Sequence, residues 1–159
     1  MVTEAEGTGR TLGGMSILLD PEMRDWEKTV PRGIRDDLIW RFHTYRISLF
    51  LVHLARTDVR GGTPGPGWWA VADQLLAAVT SISANIAEGY GRSTPPDRSR
   101  FYDLALGSVR ESASWYDAAR LHLPAEVVES RLDQLAELRR MLYGAIRSLR
   151  HLPPRKRIF

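Results

Sequence analysis

The chain has 159 residues, of which 43% are hydrophobic and 26% charged, with a formal net charge of +3 and no cysteine. This composition is that of an ordinary globular domain, long enough to bury a core without a covalent or metal staple. The absence of cysteine excludes disulfides, thiolate zinc sites and cysteine nucleophiles, and it suits a reducing compartment.

Residues 1–36 are predicted to form an N-terminal extension that is partly disordered, because glycines and prolines interrupt any helical pattern there. Residues 1–37 hold eight acids and five bases, a net charge of −3. No basic segment leads into an apolar one, as an export signal requires, so we expect a cytoplasmic protein. One short helix is expected around Pro21 to Lys28, since Asp20 can cap it and proline suits the first helical position.

Two amphipathic helices are predicted next, separated by a loop rich in glycine and proline at residues 61–67. The first runs from about Asp37 to Arg56, and Gly89 is expected to end the second in the left-handed conformation. The apolar face of the first comprises Leu38, Phe42, Tyr45, Leu49 and Val52. The apolar face of the second comprises Trp68, Ala72, Leu75, Val79, Ile82 and Ile86.

Two further helices follow, the third starting at a capping box of Thr94 and Asp97 and the fourth lying beyond Pro124. The predicted inward stripe of the third is Phe101, Leu104, Ser108, Glu111, Trp115 and Ala118. The fourth buries Val128, Leu132, Leu135, Leu138, Leu142, Ile146 and Leu149. Four such helices with short loops predict an all-α fold, an antiparallel up-down-up-down four-helix bundle over residues 37–152, followed by a basic C-terminal tail, residues 153–159.

The last part of the chain is strongly basic. From Arg131 to Phe159 there are eight bases against Asp133 and Glu137, a net charge of +6. Arginine suits bidentate phosphate contacts, and neutralised phosphates release counterions. The candidate nucleic-acid-binding residues are Arg139, Arg140, Arg147, Arg150, Arg155, Lys156 and Arg157. The alternative is a solvated helix face with intrahelical pairs such as Glu137 with Arg140.

Catalysis, cofactors and metals find no support in the sequence, and the chain is not predicted to be an enzyme. No serine lies in a Gly-x-Ser-x-Gly elbow, and His43 and His53 lack the i, i+4 spacing of a ligand pair. The longest dense apolar stretch, Ile47 to Leu54, is too short to cross a bilayer, so no membrane partner is expected.

One segment, from Ser81 to Arg92, ends an apolar helix with Asn85 and Glu88. Glu88 opposes the helix dipole there, so a partner is expected from Arg92, Arg98 or Arg100, with Asn85 tying the loop back to the bundle. Glu111 is expected to join a buried polar network that fixes the helix register. The alternative for Glu88 and Glu111 is a catalytic carboxylate site.

The same segment resembles a known family. Its signature comprises Gln74-Leu75, the string Ser81-Ile82-Ser83-Ala84-Asn85-Ile86-Ala87-Glu88-Gly89-Tyr90-Gly91-Arg92, then Phe101, Ala105, Gly107-Ser108 and Glu111. This pattern is similar to that of the bacterial four-helix-bundle proteins encoded in 23S ribosomal RNA intervening sequences, which include the accessory variability determinant of diversity-generating retroelements. The resemblance spans about residues 37–149. The chain departs from it at Leu76 and Ala77, where members usually carry two arginines, and at Ser83, where members often carry proline.

The resemblance implies a homopentamer without catalytic activity. For the retroelement branch it further implies binding of RNA and of a reverse transcriptase through a basic outer surface. We therefore expect an oligomeric protein that binds the backbone of RNA or DNA. The alternative is a protein-binding scaffold that docks its partner through aromatic side chains, for which the candidates are Trp68, Trp69, Trp115 and Tyr116.

Overall fold

The computed structural model describes residues 17–151, and all regular structure in that range is helical. The six α-helices are α1 (Pro21–Thr29), α2 (Arg32–Arg35), α3 (His43–Gly61), α4 (Trp68–Tyr90), α5 (Pro95–Ala118) and α6 (Ala125–Arg150). Short 3-10 helices occur at Ile17–Leu19, Leu38–Arg41 and Ala119–Leu121. No strand occurs in the described range, so the predicted all-α class is confirmed.

The four long helices pack in sequence, with α4 between α3 and α5, and α6 against both α5 and α3. Helices α4 and α5 run antiparallel. Near the middle of α4, the Ser108 hydroxyl donates to that of Ser81 at 3.0 Å, whereas Gly89 at the end of α4 lies against Tyr102 near the start of α5. The core between the long helices is mostly apolar, and its largest fully buried side chains include Trp68, Tyr116, Phe50, Leu75, Ile82 and Leu138.

The predicted apolar faces of α4 and α6 are confirmed. All six predicted positions of α4 are buried. In α6 five of the seven are buried, and Leu132 and Leu149 pack against the core while remaining partly exposed. Regular steps of three and four residues in the apolar side chains define both faces.

The predicted inward stripes of α3 and α5 are wrong in several positions. Leu38 is 63% exposed and precedes α3, which starts at His43, while Leu104, Glu111 and Ala118 of α5 are exposed. The buried face of α3 comprises Thr44, Ile47, Ser48, Phe50, Leu51, Val52, Leu54, Ala55 and Asp58. The buried face of α5 comprises Ser99, Tyr102, Ala105, Leu106, Ser108, Val109, Ser112 and Tyr116.

Small polar side chains explain this difference. The hydroxyl of Ser112 donates to the carbonyl oxygen of Ser108 at 2.7 Å, and that of Ser48 to Tyr45 at 2.6 Å. A serine that satisfies its hydroxyl on its own helix can enter a core at little cost. The inward faces of α3 and α5 are therefore partly polar and do not follow the most apolar residues.

Part of the predicted extension also packs on the core. Helix α1 forms as expected, with Pro21 in its first turn and an Asp20 carboxylate oxygen accepting from the backbone N–H of Glu22 at 2.8 Å. Ile17 and Met23 are buried, and the backbone N–H of Ile17 donates to Glu137 of α6 at 3.0 Å. Residues 1–16 of the extension and the basic tail at residues 153–159 lie outside the described residues.

Helix α4 is long and apolar enough, by length and composition alone, to cross a membrane. The core helix of a soluble protein passes the same test. Here α4 turns one complete apolar face toward α3 and α5, including the buried Trp68, Leu75 and Ile86. The packing of this face accounts for part of the apolar composition of α4.

Candidate nucleic-acid interface

The C-terminal half of α6 carries four exposed arginines, Arg139, Arg140, Arg147 and Arg150, which we call the arginine strip. Helical geometry places residues 139, 143, 147 and 150 in one row, since they are separated by four, four and three positions. Arg140 lies beside this row at the next position along the helix. The sequence prediction that these four side chains lie on the surface therefore agrees with the structure.

Most of the strip keeps its positive charge unneutralised. Within residues 17–151, no salt bridge joins Arg139, Arg140 or Arg147 to an acid. In particular, the intrahelical pair of Glu137 with Arg140 does not form. Arg150 differs, because its Nη2 lies 2.8 Å from an oxygen of Asp103.

Tyr143 lies in the middle of the strip and extends it to α5. Tyr143 is 47% exposed, and its hydroxyl accepts a hydrogen bond from Nη2 of Arg110 at 2.7 Å. Arg110 thereby adds a fifth cation beside the four of α6. Sequence reasoning missed both residues, although the place of Tyr143 in the arginine row is a signal that could have identified it.

The other predicted basic residues contribute differently. Arg155, Lys156 and Arg157 lie outside the described residues. Arg131, counted in the basic segment, is largely buried with its side chain 13% exposed, and it forms a salt bridge with Asp58 of α3. The guanidinium of Arg131 therefore stabilises the fold and is not part of the exposed strip.

The signature segment at the end of α4 is built from local contacts. Glu88 and Arg92 form a salt bridge, so the expected partner of Glu88 is present. The Asn85 side-chain amide donates to the carbonyl oxygen of Ser81 at 2.8 Å and to its hydroxyl at 3.1 Å. The expectation that Asn85 ties the loop to the bundle is wrong, because these contacts lie within α4.

Gly89 does not end α4. It lies inside the helix and is buried, while the helix continues to Tyr90 and is followed by Gly91 with a right-handed φ of −72°. A Cβ atom on Gly89 would lie 2.8 Å from Cε1 of Tyr102 and 2.9 Å from Cβ of Phe101. The glycine is therefore required by the close approach of α5 and not by a left-handed cap.

Glu111 is exposed on α5, so the expected buried network does not include it. Glu88 is exposed as well. Among residues 17–151, no cluster of three or more histidine, aspartate or glutamate side chains is placed to hold a metal ion.

The aromatic residues considered for protein docking divide into two groups. Trp68 and Tyr116 are buried in the core and cannot form an outer surface. Trp69 is 63% exposed, and Trp115 is partly buried against the core. Only Trp69 offers a large exposed ring from this set.

The fold and the site together define an all-helical protein with a concentrated, exposed arginine surface. Residues 68–144, just under half of the chain, match the family model of the 23S rRNA-intervening sequence protein. That region contains α4, α5 and most of α6, with the signature segment and the first two arginines of the strip.

A solved structure is also similar to this chain. It is the crystal structure of a protein with unknown function from the S23 ribosomal protein family of Bacteroides thetaiotaomicron, with a TM-score of 0.53 and 22% sequence identity. The similarity covers 65% of this chain and 94% of the other. At this identity it shows a common fold. A search of curated proteins finds no match.

Proposed function

We propose that this chain is a member of the 23S rRNA-intervening sequence protein family and a non-catalytic, cytoplasmic protein that binds the RNA backbone through the arginine strip. The exposed, unneutralised charge of Arg139, Arg140 and Arg147 carries this proposal. The family match over residues 68–144 supports the membership. An exposed arginine surface on which most members form no salt bridge is the electrostatic footprint of a nucleic-acid-binding protein.

Binding through the strip would follow the phosphate backbone and not the bases. Each arginine that neutralises a phosphate releases a counterion, so the affinity falls as the salt concentration rises. From Arg139 to Arg150 the strip spans about 16 Å, since α-helical residues rise by about 1.5 Å each. A single copy therefore contacts only a few phosphates, and its affinity alone would be modest.

Several copies in one assembly would raise that affinity by multivalent binding. We infer that α3 to α6 form an antiparallel up-down-up-down four-helix bundle and that five bundles associate as a homopentamer, as the family resemblance implies. Light scattering should then give a mass of about 90 kDa, five times the 18.0 kDa of one chain. A monomer at micromolar concentration would contradict the pentamer.

The RNA-binding proposal is tested by the variant Arg139→Ala/Arg140→Ala. We expect weaker binding of RNA in a mobility-shift titration, with the logarithmic salt slope reduced by about two, since two phosphate contacts are removed. The matched control is Arg56→Ala/Arg60→Ala, which removes the same charge from two exposed residues of α3. Equal losses in both variants would show that net charge alone governs binding and would reject the strip.

A reverse transcriptase is the protein partner to test for the retroelement branch of the family. Co-expression of the chain with a reverse transcriptase encoded beside it should yield a complex on affinity purification. We expect Arg139→Ala/Arg140→Ala to weaken that complex if the strip binds RNA held by the enzyme. Failure of the two proteins to co-purify would reject this partner while leaving RNA binding to be judged by the titration.

A protein-binding scaffold is the second candidate function. The exposed ring of Trp69 and the 49% exposed side chain of Leu104 favour it, because aromatic and aliphatic anchors often dominate protein interfaces. Under this alternative, the wild-type chain would show no salt-dependent binding to RNA. The variant Trp69→Ala would lose partner binding, whereas Arg139→Ala/Arg140→Ala would not.

A further inference from the structure

A groove in the described residues begins where the arginine strip ends. It lies between the start of α5 and the end of α6, has a volume of about 470 Å³, and is open to solvent. Its walls are formed by Pro95, Pro96, Ser99, Arg100, Asp103, Leu149 and Arg150. Because Arg150 belongs to both features, the strip and the groove form one continuous surface.

The two arginines of the groove have different roles. Arg150 reaches across from α6 to α5, where Nη2 pairs with Asp103 at 2.8 Å and Nε donates to the Ser99 hydroxyl at 3.3 Å. Arg100 is exposed and has no salt bridge within the described part of the chain. Arg150 therefore holds the walls together, and Arg100 is the cation available to a ligand.

The first turn of α5 does not supply the anion site by itself. The Thr94 hydroxyl oxygen accepts from the backbone N–H of Asp97 at 3.3 Å, and the Asp97 carboxylate lies 2.5 Å from the same hydroxyl. This cap places an acid at the helix start. Affinity for a phosphate in the groove must therefore come from the side chain of Arg100.

Beside the groove, the aromatic ring of Phe101 contacts two guanidinium groups. The central carbon of the Arg92 guanidinium is 4.6 Å from the centroid of the Phe101 ring, and that of Arg100 is 5.4 Å away. The ring thus holds both cations in place at the surface. Unpaired bases stack on aromatic rings and on arginine planes, with little dependence on base identity.

We propose that the groove and the neighbouring cluster of Arg92, Phe101 and Arg100 form a binding site for single-stranded nucleic acid. A strand that follows the arginine strip passes Arg150 and places an unpaired base against Pro95, Pro96 or Leu149, with a phosphate at Arg100. A duplex keeps its bases stacked inside, so it can meet the strip but cannot fill the groove. This inference rests on the proposed function and adds the class of nucleic acid that the surface selects.

Fluorescence anisotropy with the full chain tests the proposal. The probes are a 12-nucleotide oligouridine strand and a 12-base-pair RNA duplex, titrated at the same salt concentration. The variant Arg100→Ala should lower affinity for the single strand about tenfold and leave the affinity for the duplex within about twofold. Phe101→Leu, which keeps an apolar side chain against Gly89 but removes the ring, should have the same selective effect.

The control is Arg60→Ala, since Arg60 is exposed at the end of α3 that lies near Tyr116 and Arg131, away from the groove. Its affinities for both probes should stay within about twofold of wild type. A 12-nucleotide oligodeoxyuridine strand, which differs from oligouridine only in lacking the 2′-hydroxyl, identifies the sugar requirement: equal affinity supports stacking and phosphate contacts alone, and weaker binding supports added contacts to the 2′-hydroxyl.

Two results would overturn the inference while leaving the proposed function intact. The first is that Arg100→Ala lowers the affinity for the duplex and for the single strand equally. The second is that Arg100→Ala and Phe101→Leu leave the affinity for both probes unchanged. Failure of the wild-type chain to bind either RNA would instead reject the proposed function together with this site. Circular dichroism of each variant confirms that the helices are intact.

Discussion

A buried carboxylate, Asp58, joins three of the long helices. Its two oxygens accept from the guanidinium of Arg131 in α6, at 2.8 Å to Nε and 3.0 Å to Nη2. The hydroxyl of Tyr116 in α5 donates to the same carboxylate at 2.9 Å. Asp58 is 7% exposed and Tyr116 is 1% exposed, so water cannot replace these bonds.

The substitution Asp58→Ala should therefore lower the free energy of unfolding by about 3–5 kcal/mol, the usual cost of leaving a buried charge unpaired. The guanidinium of Arg131 would lose its counter-ion, and the Tyr116 hydroxyl would lose its acceptor. A domain of this kind is stable by only about 5–15 kcal/mol in total. Urea denaturation followed by circular dichroism, at one fixed protein concentration, measures the change.

A matched triple variant separates the cost of leaving a buried group unpaired from the net contribution of the Asp58, Tyr116 and Arg131 contacts to stability. In Asp58→Leu/Tyr116→Phe/Arg131→Met, all three polar groups are replaced by apolar ones, and we expect stability near that of wild type, since such replacements are often neutral. A loss below about 1 kcal/mol in Asp58→Ala would refute the reasoning, because the group would then be well solvated. A triple variant as unstable as Asp58→Ala would refute the second part.

Two further predictions concern glycines of α4 and α5 and the buried tyrosines of α5. Gly89→Ala should destabilise the protein by about 1–3 kcal/mol, because the added Cβ overpacks against Tyr102. Gly107→Ala has nothing within 4 Å of its added Cβ and should stabilise the protein by about 0.5–1 kcal/mol. Thermal unfolding that shifted in the same direction for both variants would contradict this prediction. Burial raises the pKa of Tyr102 to about 12, and burial together with Asp58 raises the pKa of Tyr116. Since tyrosine in the unfolded chain ionises near pH 10, stability should be fully present below pH 10 and fall above it by about 1.4 kcal/mol per pH unit for each tyrosine. In urea titrations between pH 9 and 11, Tyr102→Phe should show a smaller slope, and an unchanged slope would exclude Tyr102 as a cause.

The sequence predicted α4 and α6 well because their apolar residues recur without interruption. It failed on the inward face of α5, where serines replace apolar residues and satisfy their hydroxyls on the preceding turn, as Ser112 does. The resulting error moved Glu111 and Leu104 from the surface to the predicted interior. Hydropathy cannot reveal such a face, because a serine bonded to its own helix has lost most of its polar character.

Contacts between residues far apart in the chain could not be predicted from the sequence either. Asp58 and Arg131 are separated by 73 positions, and nothing local marks either as buried. The arginine strip was predictable because its members share one helix, where spacing alone fixes their relative positions. The groove was not, since Arg100 and Leu149 become neighbours only after α5 and α6 pack antiparallel.

The environments of the arginines distinguish structural charge from charge that a ligand can use. The chain has 22 basic and 19 acidic side chains, so nearly all arginines could be paired. Arg131 is paired inside the fold, yet Arg139, Arg140 and Arg147 are left together on one helix. Like charges on one helix face repel each other and cost stability. A polyanion bound along α6 would remove that repulsion, and such binding should raise the stability of the folded chain by an amount that grows with the logarithm of its affinity.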